Sequence, residues 1–246
     1  MTKFTTRDGA LAEELFRVYC HRKKIKLTRI LERAEERTPD FHIRMHGLDI
    51  YAEVKQISMT ARDEAYYDEV RRNSDAWAAL WERREAGELT QEQYAEQVQR
   101  HVVVYGREGP EIGKRTHATI RQTDQLTKGA HNLMVIYDAT GRGWTDPHAV
   151  TTALFGNKVL RIPVHPVNGA DMDAATWGFT HKGTIFNSKA RSRIGAVMAL
   201  YASYEPGNSI ITPKGLSATM YPNPWPLQEI PLKTLRKLGT ITKAYV

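Results

Sequence analysis

Along the chain the spacing of apolar side chains changes period several times, and each change predicts an element. From residue 8 to 24 Leu11, Leu15, Val18 and Tyr19 recur at helical spacing, with Phe16 widening the arc; a first helix is expected there, entered at Asp8-Gly9. Ile25, Leu27, Ile30 and Leu31 then suggest a strand or a short helix. After Asp40 the period drops to two: Phe41, Ile43 and Met45, then Leu48, Ile50, Ala52 and Val54, alternate with polar residues on either side of His46-Gly47. This predicts a hairpin with a two-residue turn, in which Met45 faces Leu48, Ile43 faces Ile50, Phe41 faces Ala52, Arg44 faces Asp49 and His42 faces Tyr51. The same register sets Asp40 opposite Glu53 on the other face, with Lys55 two residues further along that face.

Residues 60 to 100 are dense in Glu, Arg, Gln and Ala and predict two helices broken at Gly87, with Thr90 and Gln93 at capping-box spacing. Tyr66, Val70, Trp77, Leu80 and Trp81 form an apolar stripe there. A helix is expected from about Ile112 to Lys128, followed at once by the apolar strand LMVIYD at 133 to 138. Asp146 and Pro147 have the residue types of a helix cap and first helical position. Strands are expected at Val159 to Val164, Gly183 to Phe186, Ile194 to Tyr201 and Ser217 to Met220. The prolines of YPNPWPLQEIP, 221 to 231, exclude a helix over that stretch.

Length changes the picture by limiting it: 246 residues suit one domain over 1–246, with a helical insertion at about 60–105 and a C-terminal extension over about 140–246. No apolar run is long enough to span a bilayer and the N-terminus lacks the apolar core of a signal peptide, so no membrane partner and a cytoplasmic location are expected. Cys20 is the single cysteine, which excludes internal disulfides and thiolate-rich zinc sites. GPEIGKR is no phosphate loop, because only three residues separate Gly109 from Gly113-Lys114 and Arg115 stands where Ser or Thr should follow. A net charge of +7 and a pI near 9.4 favour a polyanionic partner.

The candidate chemistry lies on the hairpin. Two carboxylates directly opposite one another repel, and a cation between them is the simplest remedy; Mg²⁺ (or Mn²⁺) takes such oxygens and borrows others from water or a phosphate. Lys55 beside them suits holding a water or stabilising charge on a phosphoryl oxygen. Pro39-Asp40, twelve residues and then Glu53-Val54-Lys55 resembles the PD-(D/E)xK signature of the restriction-endonuclease-like nucleases. That resemblance implies an α/β fold with an αβββαβ core, here with a helical insertion and extra C-terminal strands. It implies metal ligation by Asp40, Glu53 and the carbonyl of Val54, a catalytic Lys55, and Mg²⁺-dependent hydrolysis of phosphodiester bonds, in DNA ahead of RNA. Ala12-Glu13 with Phe16 is similar to the first helix of that superfamily and adds Glu13 to the acidic site, with Glu14 in reserve. The closing YPNPWPLQEIP resembles the tail of bacterial members.

For a nuclease, Arg22, Lys23 and Lys24 of the basic run at 21 to 33, and Lys114, Arg115, Arg121 and Gln125, are the residues expected against backbone phosphates. The aromatic stripe leaves a homodimer contact open. A nucleic-acid-binding or partner-binding protein with a dormant nuclease-like site is the alternative reading.

Overall fold

The computed structural model describes residues 9–31, 38–102, 112–140, 145–156, 158–162, 164–165, 169–170, 173–179, 184–186, 192–203 and 215–242. In chain order the first elements are α1 (Ala10–Arg22), β1 (Leu27–Arg29), β2 (Phe41–Met45), β3 (Leu48–Ile57), α2 (Ala61–Glu85) and α3 (Gln91–Val102). Then come α4 (Ile112–Ile120), β4 (His131–Asp138), α5 (Pro147–Phe155), β5 (Lys158–Arg161), β6 (Val164–His165), β7 (Gly169–Ala170) and β8 (Thr176–Phe179). The last are β9 (Ile194–Ser203), β10 (Gly215–Pro222), α6 (Leu232–Leu238) and β11 (Thr240–Ile241). No helix among the described residues is long and apolar enough to cross a membrane.

The alternation at 41 to 54 folds as it predicts. β2 and β3 pair antiparallel with five of the six expected partners, Phe41–Ala52 to Met45–Leu48, while Asp40, expected opposite Glu53, lies beyond the ladder. His46 (φ 51°) and Gly47 (φ 77°) are both left-handed, as a two-residue hairpin turn that follows the strand twist requires. The segment left open between strand and helix becomes β1, antiparallel to β2.

These strands open a seven-stranded mixed sheet of order β1-β2-β3-β4-β9-β10-β11, with β4 parallel to both β3 and β9. β4 lies between two strands and is buried along nearly its whole length, which is why it reads as a continuous apolar run. Its side chains divide by period two between two cores. Leu133, Val135 and Tyr137 join Ala52 and Val54 against Leu15, Phe16 and Tyr19 of α1 and Leu235 and Leu238 of α6. Met134 and Ile136 join Ile120 of α4 and Val150, Leu154 and Phe155 of α5. Helices thus cover both faces: α1 and α6 one, α4 and α5 the other. The strands expected at 194 to 201 and 217 to 220 are members of this main sheet, as β9 and β10.

Three expectations are corrected. The helix expected to Lys128 ends at Ile120, where the N–H groups of Gln122 and Thr123 bond back to the carbonyls of Thr119 (3.2 Å) and Arg121 (2.9 Å). Buried Asn132 fixes the following turn, donating to the carbonyls of Thr127 (2.8 Å) and Ala130 (3.2 Å) and accepting from the Thr127 N–H (3.2 Å). Residues 184–186 are not a strand; the Phe186 N–H bonds to the Leu154 carbonyl and its ring meets Phe155 edge-on, so this segment is an anchor for α5. The strand expected at 159 to 164 is split into β5 and β6, in two separate two-stranded sheets. Asp8, Arg33 and Gly183 lie outside the described residues.

Residues Met59–Glu111 form a compact unit distinct from Met1–Ser58 with Ile112–Val246. Thr60 and Asp63 close a capping box on α2, and Thr90 and Gln93 close the expected one on α3. The stripe is only partly covered: Leu80 is buried, while Trp77 and Trp81 stay exposed, Trp81 meeting Tyr94 edge-on under the Arg84 guanidinium.

Gly239 joins α6 to β11 where no Cβ fits: one built there would lie 2.8 Å from the Ala218 carbonyl oxygen and 3.1 Å from Met220 Cγ. Gly239→Ala is expected to cost about 1–3 kcal/mol, the range for overpacking a tight site. The urea midpoint should fall with the slope unchanged. A native midpoint would mean that β11 moves aside freely.

Candidate active site

Where β2 begins, β3 runs on past it, and the candidate residues gather at that step. The ladder's last pair is Phe41–Ala52, so Asp40 stands one position beyond it. Its Oδ2 accepts the Val54 N–H at 2.7 Å, holding the carboxylate against the backbone between Glu53 and Lys55. The N–H and C=O of one strand residue leave the strand on the same side, so the Val54 carbonyl is directed to the side of Asp40, where β2 no longer supplies a partner.

Glu53 and Lys55 lie across from Met134 and Ile136 of β4, which places them on the face that α4 and α5 cover. This roof explains why Glu53 is fully buried although it sits in a strand of alternating polarity. One of its oxygens, Oε1, is paired with the Lys55 ammonium; the other, Oε2, is buried with no hydrogen-bond partner among the described residues. Burial pushes the Glu53 carboxyl up to about 7. The hydrogen bond from Lys55 opposes the rise, while the charges of Asp40 and, more weakly, Glu13 add to it. The ammonium also donates to Gln125 Oε1 at 2.5 Å, so Lys55 is held from two sides with a fifth of its side chain still exposed.

Glu13 lies on α1, partly exposed, and Arg29 of β1 holds its Oε2 at 2.6 Å. Glu14 instead forms a two-pronged pair with Arg17 at 2.5 and 2.7 Å. Of the two, only Glu13 acts electrostatically on Glu53. These residues also line an open cavity of about 380 Å³ with Leu27 and Phe41.

No protein-family model, curated protein or solved structure matches the chain. What the site can do therefore rests on its own geometry. Among the described residues no three or more His, Cys, Asp or Glu stand together as a metal-holding group. Two carboxylates and a carbonyl suit a cation that keeps much of its water shell, as Mg²⁺ does, better than one needing a full protein cage. The orphan Oε2 of Glu53 is an acceptor whose burial a cation would compensate.

The residues expected against phosphates are divided by the sheet. Arg22, Lys23 and Lys24 are exposed at the end of α1, on the face opposite Lys55. Arg115 is partly buried in α4, Arg121 is exposed just beyond it, and both belong to the covering of the Lys55 face; the side chain of Lys114 lies outside the described residues. Gln125, expected to meet a phosphate, is here the partner of Lys55. Sequence reasoning missed the grip of Arg29 on Glu13. The signal for it was β1 itself, since pairing of Arg29 with Phe41 sets it beside Asp40.

Proposed function

We propose that this chain is a Mg²⁺-dependent nuclease of the PD-(D/E)xK kind, with a restriction-endonuclease-like core, hydrolysing phosphodiester bonds in DNA. The observation that carries the reading is the buried, half-partnered carboxylate of Glu53, with Asp40 accepting the neighbouring Val54 N–H and the Lys55 ammonium paired beside it. Asp40, Glu53 and the Val54 carbonyl would hold the ion. When bound, it would polarise a phosphoryl oxygen and lower the pKa of a water. Lys55, positioned by Gln125, would offer its ammonium to the attacking water or to the charge growing on the phosphoryl oxygens. Glu13 supports the acidic side through its field, with Arg29 set at its rim.

Net charge is divided unevenly between the two units. Between 59 and 111 seven arginines face twelve acids, a balance of −5, which leaves +12 on the unit that holds the carboxylates. Phosphates are drawn to the second field and repelled by the first.

The test is incubation of the purified chain with plasmid, linear and single-stranded DNA, in Mg²⁺ or in EDTA. Cleavage is expected with Mg²⁺ alone and should be lost in Asp40→Asn. If folded protein binds DNA yet cuts none of these in Mg²⁺ or Mn²⁺, the nuclease reading fails and a nucleic-acid-binding protein with a dormant site takes its place.

A further inference from the structure

At the end of α1 away from Glu13 lies a cavity of about 500 Å³ that the carboxylate site does not use. Lys23 is ten residues beyond Glu13, roughly 15 Å along the helix axis at 1.5 Å per residue. The cavity is walled by Leu216, Ala218 and Ile241, and Tyr19 forms its floor, its hydroxyl donating to the Leu238 carbonyl at 2.5 Å. Lys23 and Arg236 stand at it from two helices, and the chain at Ser217 of β10, Thr240 of β11 and Thr242 completes the lining. Among the described residues no carboxylate lines it. Neither cation is ion-paired with an acid among the described residues; Lys23 rests instead above the Tyr19 ring, 5.9 Å from its centroid.

We infer that this cavity is a binding site for the phosphate of a nucleotide-sized ligand, held by Arg236 and Lys23. The guanidinium of Arg236 can present two parallel N–H donors to phosphate oxygens, and Lys23 adds a point charge on the other side. The apolar wall of Leu216, Ala218 and Ile241 takes a sugar or base. The volume falls within the range of small-molecule sites, about 300–1,000 Å³, and exceeds what a bare phosphate fills. The phosphate has two natural sources, a free mononucleotide or the phosphorylated end of a nucleic-acid strand. The assignment does not depend on the nuclease reading, since none of these residues belongs to the carboxylate site.

Calorimetric titration of the full chain in EDTA tests it, with a 5′-mononucleotide, the matching uncharged nucleoside, and a short oligonucleotide carrying a 5′-phosphate or a 5′-hydroxyl. The mononucleotide should bind and the nucleoside should not. Arg236→Ala and Lys23→Ala should each weaken the mononucleotide about tenfold, the scale of one charge-assisted contact. Both side chains are exposed, so the variants should melt as the native protein does, and Arg236→Lys should recover part of the loss. A phosphorylated oligonucleotide more than about tenfold tighter than its hydroxyl twin and than the mononucleotide assigns the site to strand ends; equal affinity assigns it to free nucleotides. Nucleoside binding equal to mononucleotide binding, no binding of any probe at millimolar concentration, or native affinity in the folded double variant overturns the assignment.

Discussion

Lys55→Ala is expected to reduce DNA cleavage on the order of a hundred- to a thousandfold, the loss typical of removing one donor aimed at transition-state charge. DNA affinity measured with Ca²⁺ in place of Mg²⁺ should change little, because an interaction made chiefly in the transition state is absent from ground-state binding. The structure supplies a competing explanation that the experiment has to separate. Lys55 is the cation paired with Glu53 Oε1, so its removal leaves a buried carboxylate less compensated and lowers stability. Rates are therefore to be compared only where melting shows the variant folded. Gln125→Ala is the companion test. It keeps the ammonium and removes the partner at 2.5 Å, so kcat should fall by about tenfold with KM unchanged, the signature of a positioning residue. If folded Lys55→Ala cuts at the native rate, Lys55 is no catalytic residue and the likeness to PD-(D/E)xK is a coincidence of spacing.

How much of this site could be read beforehand follows from the range of the interactions that make it. The hairpin was legible to the residue because period two, a His-Gly turn and an apolar face all constrain the same register. Asp40, Glu53 and Lys55 could be set on one side of β3 for the same reason. What lay beyond local pattern was the covering of that side. Residues 112 to 120 and 147 to 155 reach it only through the tertiary fold, and with them come the burial of Glu53 and the link from Lys55 to Gln125, seventy positions away. The helix expected to Lys128 failed on a similar ground: propensity cannot see that the Asn132 side chain will claim the backbone of the turn before β4. The cationic residues were legible as charges and illegible as a surface, because assignment to one face or the other of the sheet is decided by helix packing. Lys23 accordingly lies with Arg236, far along the chain, and not with Arg121.

Glu53→Gln should destroy cleavage and, in the absence of divalent ions, stabilise the protein at alkaline pH. The Glu53 carboxyl stands at about 7 against an ordinary value of 4.5. Below pH 4.5 both folded and unfolded chains are protonated there, and the full stability is present. Between 4.5 and 7 the unfolded chain gives up its proton and the folded chain keeps it, so stability falls as pH rises, by at most about 1.4 kcal/mol per pH unit from this group. Above 7 the loss is complete, on the order of 3 kcal/mol. Glutamine carries no charge, so the variant should show a flatter stability profile across this window and exceed the native chain at pH 8. Mg²⁺ reverses the comparison. A cation on Glu53 and Asp40 binds the ionised folded state and adds RT ln(1 + [L]/Kd), about 2.7 kcal/mol at a hundredfold excess, to the native chain and little to the variant. Denaturant unfolding at pH 4.5, 6 and 8, with EDTA or Mg²⁺, measures all of this together with a cleavage assay at pH 8. A residue needed only for the fold would lose activity and stability together. Loss of activity with a gain of stability in EDTA, cancelled by Mg²⁺, is the pattern of a carboxylate kept buried for a cation, and a native Mg²⁺ response in Glu53→Gln would remove it from the metal site.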